Sequence, residues 1–152
     1  MKKLRVLILT HESLVPPDAL DGHSQQEIDE WQTEYDVMSC LRQAGHEVQV
    51  LGLYDNLGDL RTRITDWRPD VAFNLLQEHI VAYLELMRQP YTGCNPRGMM
   101  LSRDKVLSKQ VLTYHRIPTP QFALFRRGRR YRLSKKLTYP LFVKSATEDA
   151  SL

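Results

Sequence analysis

Two lysines stand where an ammonium group could meet a phosphate. Lys105 follows Asp104 at the start of a helix-forming stretch, just after a glycine-containing turn. Lys144 closes the apolar run Leu141-Phe142-Val143 before a small, polar tail, SATEDASL. Each is flanked by regular structure on one side and a loop on the other, which suits a compact cation that neutralises phosphate oxygens. For Lys105 a second account competes: a lysine beside an aspartate at a helix start is commonly a surface ion pair of little energetic weight.

A second set of polar residues follows apolar runs. His11-Glu12-Ser13 comes directly after LRVLILT, and Asn74, Gln77, Glu78 and His79 end or follow DVAFNL. In open α/β sheets the ligand crevice lies beyond the carboxyl ends of the strands, so His11, Glu12, Asn74 and Glu78 are candidate substrate contacts. Each also has a plainer reading. The first group is then a solvated loop, and Glu78 is an acid placed favourably near a helix N-terminal dipole.

The elements that must position these residues are legible. Leu4–Thr10, Glu47–Leu53 and Asp70–Leu75 are short, branched, apolar runs, as expected for strands buried on both faces. Ser24-Gln-Gln-Glu27 is a capping box opening a helix with Ile28, Trp31, Tyr35, Met38 and Leu41 at three- and four-residue spacing, stopped by Gly45. Its acids Glu27, Asp29, Glu30, Glu34 and Asp36 read as a solvated face. Leu57, Leu60, Ile64 and Trp67 mark a second helix ended by Arg68-Pro69, and Ile80, Tyr83, Leu84 and Met87 mark a third. Strands alternating with helices predict an α/β fold with a parallel, Rossmann-like sheet and right-handed crossovers. Pro90–Gly93 reads as a fourth strand and turn, and Gln121–Phe125 and Tyr139–Val143 as later strands. Between them Arg116-Ile-Pro-Thr-Pro120 is a stiff linker that should separate two lobes.

Composition narrows the class. With 152 residues, 42% hydrophobic and 26% charged, the chain can bury a core. The net charge of +3 conceals an asymmetry: residues 1–124 carry 13 Lys/Arg against 16 Asp/Glu, and residues 125–152 carry 8 against 2. The basic residues crowd into Arg126, Arg127, Arg129, Arg130, Arg132, Lys135 and Lys136, around Gly128 and Tyr131. That patch is either a solvated hairpin or a surface meeting phosphates and bases. Cys40 and Cys94 have no metal-binding spacing, which fits a reducing compartment without structural zinc. The apolar part of the N-terminus is shorter than a signal-peptide core and no run spans a membrane, so a cytoplasmic protein is expected.

In order and spacing, PYTG, SRDK, RIPTP and YPLFVK followed by a serine-bearing loop resemble the ATP-grasp superfamily, most closely its D-alanine:D-alanine ligase branch, over residues 70 to 152. The resemblance implies a pre-ATP-grasp α/β domain over residues 1–117 and the beginning of an ATP-grasp lobe over 118–152, as the N-terminal part of a longer enzyme. It implies ATP as cofactor with Lys105, Lys144 and Ser151 on its phosphates, and magnesium held by acids beyond Leu152. It also implies a first-substrate contact from Glu27 or Glu30, an amino-acid or peptide carboxylate and an amine as substrates, and a homodimer. The loop LLQEH lacks the glycines of that branch, so carboxylate–amine ligase is the label implied. The alternatives are a stand-alone α/β binding module and an RNA-contacting domain acting through Arg126–Lys136.

Overall fold

The computed structural model describes residues 2–76, 78–131 and 137–147. Compact packing divides the chain into one unit that runs up to Pro96 and a second that starts at Arg97.

The first unit is a parallel three-stranded sheet in the order β2-β1-β3, with β1 (Arg5–His11) central, β2 (Glu47–Leu53) on one side and β3 (Val71–Asn74) on the other. Its register pairs Leu9 with both Leu51 and Asn74. The residues from Val6 to Thr10 are all buried, which is why this run alternates no polar residue into its middle. Helix α1 (Gln25–Gln43) links β1 to β2. Helix α2 (Leu57–Thr62) and a wider π turn (Arg63–Trp67) link β2 to β3. Helix α3 (Glu78–Leu86) follows β3. Leu7, Leu9, Leu51, Leu53, Leu60, Ile64, Ala72 and Leu84 form one buried cluster. Leu7, Leu9, Leu60 and Leu84 are wholly buried, each contributing about 2 kcal/mol by leaving water.

The expected capping box is present. Ser24 accepts from the Glu27 N–H, and the Glu27 carboxylate accepts from the Ser24 N–H at 2.8 Å. Gly45 takes φ +85°, the left-handed geometry that ends α1 without a side-chain penalty. Two expectations need correction. The fourth strand shrinks to a single bridge, Ala72 with Tyr91, flanked by Ala72 N–H to Pro90 O and Thr92 N–H to Ala72 O. Glu34 does not join the solvated face: it is buried with Trp31 and Met38, because positions 31, 34 and 38 share one stripe of the helix.

The second unit holds nearly all of α4 (Pro96–Arg103) and α5 (Lys105–Tyr114). Helix α4 replaces the loose turn expected around Gly98. The runs Gln121–Phe125 and Tyr139–Val143 are not strands: among the described residues neither hydrogen-bonds to a neighbouring strand, and Phe142 and Val143 are 92% and 97% exposed. A strand is stable only beside another, so apolar β-prone composition alone does not create one. The Arg116–Pro120 linker is tied back to α5, where the Lys109 ammonium donates to the Pro120 carbonyl at 3.0 Å and lies 5.4 Å from the Phe122 ring centre.

Candidate functional site

The two ends of the sheet have different jobs. At the amino end, polar groups saturate one another: the Arg5 N–H donates to Asp70 Oδ2 and its guanidinium to the Trp67 carbonyl, both at 2.7 Å. The buried Gln89 amide donates to the carbonyls of Pro69 and Pro90. These bonds close that end.

The carboxyl end is built from short polar turns. His11 ends β1 and caps a 3-10 turn, Glu12–Leu14. Its Nδ1 accepts from the Ser13 N–H at 3.2 Å and lies 2.7 Å from Ser13 Oγ, an arrangement that uses Nδ1 as an acceptor and leaves the proton on Nε2. The imidazole also meets the exposed Tyr54 ring, just past β2, edge to face at 5.6 Å. The 3-10 turn crosses β2 at Gly52, where an added Cβ would fall 2.5 Å from Val15 Cγ2 and 2.8 Å from Glu12 Cα. Glycine is what lets this turn lie against the sheet.

Asn74 at the end of β3 forms its own turn. Its Oδ1 accepts from the Leu76 N–H and its Nδ2 donates to the Leu76 carbonyl, while its backbone N–H donates to the Thr92 hydroxyl. Beneath this edge the fully buried Thr10 hydroxyl donates to Glu34 Oε1 at 3.4 Å. The sequence reading missed this pair; the spacing of Trp31, Glu34 and Met38 was the signal that could have found it.

The remaining candidates in this unit are distributed as follows. Glu12 and Ser13 are exposed beside His11, and Glu30 is exposed on α1. Glu27 is committed to the capping box, and its hydrogen bonds from the Ser24 backbone and hydroxyl hold its carboxyl below the usual value. Glu78 opens α3, and its side chain lies outside the described residues.

In the second unit the segment after Lys144 rests on the start of α5. The backbone N–H of Lys105 donates to the Ala146 carbonyl at 2.9 Å, and Arg103 Nε donates to the Thr147 carbonyl at 2.8 Å. Asp104 caps the helix, its Oδ1 accepting from the N–H groups of Val106 and Leu107. The first three amides of α5 are therefore all spent on protein acceptors, so an anion here would be met by side chains rather than by the helix end. Lys105 is half-buried, and Lys144 is exposed two residues from the Ala146 anchor. Ser151 lies outside the described residues, as do Arg132, Lys135 and Lys136. Among the described residues no three His, Cys, Asp or Glu side chains gather to hold a metal ion, and no helix is long and apolar enough to cross a membrane.

The first unit is thus a parallel α/β sheet whose polar turns lie at the carboxyl ends of its strands, the side on which open sheets of this kind leave a crevice. No family model matches the sequence. It is 34% identical over 130 residues to the uncharacterized protein y4sG of Sinorhizobium fredii, covering 76% of this chain and 38% of that protein. It is also 34% identical over 122 residues to a D-alanine–D-alanine ligase of Syntrophotalea carbinolica, covering 76% and 39%. A D-alanine–D-alanine ligase structure from Bacillus anthracis, complexed with ATP, superposes with a TM-score of 0.59 over 87% of this chain and 43% of that one, at 21% identity, a likeness of fold. The chain is a relative of the D-alanine–D-alanine ligases and resembles the N-terminal portion of that branch of the ATP-grasp superfamily. It spans about two fifths of the length of the curated relatives it matches.

Proposed function

We propose that this chain provides the N-terminal α/β domain and the first nucleotide-contacting residues of an ATP-dependent carboxylate–amine ligase. The observation that carries the reading is the bond from Lys105 N–H to the Ala146 carbonyl, which brings the loop after Lys144 to the start of the helix that begins with Lys105. The domains follow as a pre-ATP-grasp domain to residue 117 and the start of the nucleotide lobe from 118.

The donor chemistry suits a polyphosphate. Lys105 and Lys144 supply compact cations, and Ser145 and Thr147 supply hydroxyls on a small-residue loop. In the reaction the γ-phosphoryl group of ATP passes to a substrate carboxylate, giving ADP and an acyl phosphate. An amine then attacks the acyl carbon, the C–O bond to phosphate breaks, and an amide and inorganic phosphate leave. The lysines offset charge on the phosphate oxygens throughout transfer. Ser151 is assigned to the same phosphates. Magnesium accompanies ATP in such chemistry, but no described residues form its site, so no step is assigned to it.

His11, Glu12, Glu27, Glu30, Asn74 and Glu78 are the candidate contacts for the carboxylate and amine substrates, an amino acid or short peptide. A homodimer in the cytoplasm completes the reading. Its test is ATP turnover by the native polypeptide, followed as ADP release across a panel of amino acids. Lys144→Ala should lower kcat/KM by roughly a hundredfold, the effect of losing one charged contact to a transferring phosphoryl group. Unchanged turnover in that variant would remove the assignment.

A further inference from the structure

The cationic turn from Arg126 to Arg130 has no part in the proposed ligase chemistry, and its build is specific. The Arg129 N–H donates to the Arg126 carbonyl at 3.1 Å, and Gly128 takes φ +78°, as a type II turn requires at its third residue. The Arg126 N–H donates to the Tyr131 hydroxyl at 3.1 Å, which closes the loop on itself. The Phe125 and Tyr131 rings meet with centres 5.2 Å apart. Two observations then point outward. Arg126, Arg127, Arg129 and Arg130 are all exposed, and none pairs with a carboxylate among the described residues. The two rings stay 57% and 43% exposed although hydrogen bonding and ring contact hold them in place.

We propose that this turn is a docking site for a single-stranded nucleic acid segment, with the four guanidinium groups on successive phosphates and the Phe125–Tyr131 pair as a platform for an unpaired base. Guanidinium groups bind phosphate in a planar, bidentate manner. An exposed ring held in one orientation stacks on a base at little cost in ordering, and every base offers a π face, so such a site is tolerant of sequence. A folded duplex offers no free base to the rings, which is why the single strand is the fitting partner.

The test is fluorescence anisotropy of the full chain with a dye-labelled oligouridylate of about twelve nucleotides. Four phosphate contacts give a slope of log K against log salt of about −3, or a loss of roughly fiftyfold between about 50 and about 200 mM salt. Replacing Arg126, Arg127, Arg129 and Arg130 together by Gln should abolish binding and leave ATP turnover of the native polypeptide unchanged. Tyr131→Ala should weaken binding about tenfold at an unchanged salt slope, whereas Tyr131→Phe, which keeps the ring, should retain most of it. Oligouridylate affinity that is indifferent to the arginines, or that falls with the arginines but not with Tyr131→Ala, overturns the proposal. So does retention on phosphatidylserine vesicles without oligonucleotide binding, which would mark the turn as a lipid contact.

Discussion

Thr10 and Glu34 offer the sharpest test of how the carboxyl end of the sheet is supported. Thr10 is fully buried, Glu34 is 7% exposed, and the hydrogen bond between them is long at 3.4 Å. Such a bond has modest worth in itself, about 1 kcal/mol. Removing it does more harm than that, because Thr10→Val keeps the shape of the side chain but leaves a largely desolvated carboxylate with no other hydrogen-bond or ion-pair partner among the described residues. The expected loss is about 2–3 kcal/mol. Thr10→Ser, which keeps the hydroxyl and drops a methyl, should cost only about 1 kcal/mol. Glu34→Gln keeps an acceptor for the hydroxyl without the charge and should be close to neutral. The double variant Thr10→Val with Glu34→Leu should recover most of the loss, since no polar group is then stranded. Urea unfolding followed by the fluorescence of Trp31, one turn from Glu34 on α1, in a Trp67→Phe background measures all four. A Thr10→Val midpoint equal to the parent's, or a double variant no better than Thr10→Val alone, would refute the argument that stranded charge dominates.

Other outcomes follow from single contacts. Gly52→Ala places a methyl inside contact distance of Val15 and the Glu12 backbone, so it should destabilise the chain by about 1–3 kcal/mol and shift the His11 ring resonances. Glu27 has its carboxyl held below the ordinary 4.5 by Ser24, so its contribution is present above 4.5 and is lost as pH falls through the lower folded value. In Glu27→Gln that part of the acid-side dependence of α1 helicity, read by circular dichroism, should disappear. Asp104→Ala frees the Val106 and Leu107 amides and should cost about 1 kcal/mol, with faster hydrogen exchange at those two positions as the direct readout.

Much of the first unit was legible because its signals are local. The capping box Ser24–Glu27, the glycine stop at Gly45 and the Pro69 boundary act through backbone geometry and near neighbours, and each is found where the pattern put it. The buried strands carry unbroken apolar runs because both faces are covered, and Glu47–Leu53 was located to the residue. His11 and Asn74 were placed at strand ends by the extent of the continuous apolar runs LRVLILT and DVAFNL. Their hydrogen-bonded turns, and the dependence of the first on Gly52, involve a neighbouring strand and were not readable.

The sequence by itself determined the crossover α/β architecture, the caps and stops of its helices, and the positions at which chemistry-bearing residues leave the sheet. These follow from periodicity and backbone restriction, which act over a few residues. The tertiary structure decided which candidates have company. It drew Glu34 out of the solvated face and under Thr10, reduced the fourth strand to the Ala72–Tyr91 bridge, left Tyr139–Val143 without a paired strand among the described residues, and set the Ala146 carbonyl on the Lys105 amide. Those outcomes depend on what lies across a gap in the folded chain, and the energy of a hydrogen bond or a buried charge belongs to both partners, which a one-dimensional pattern does not bring together.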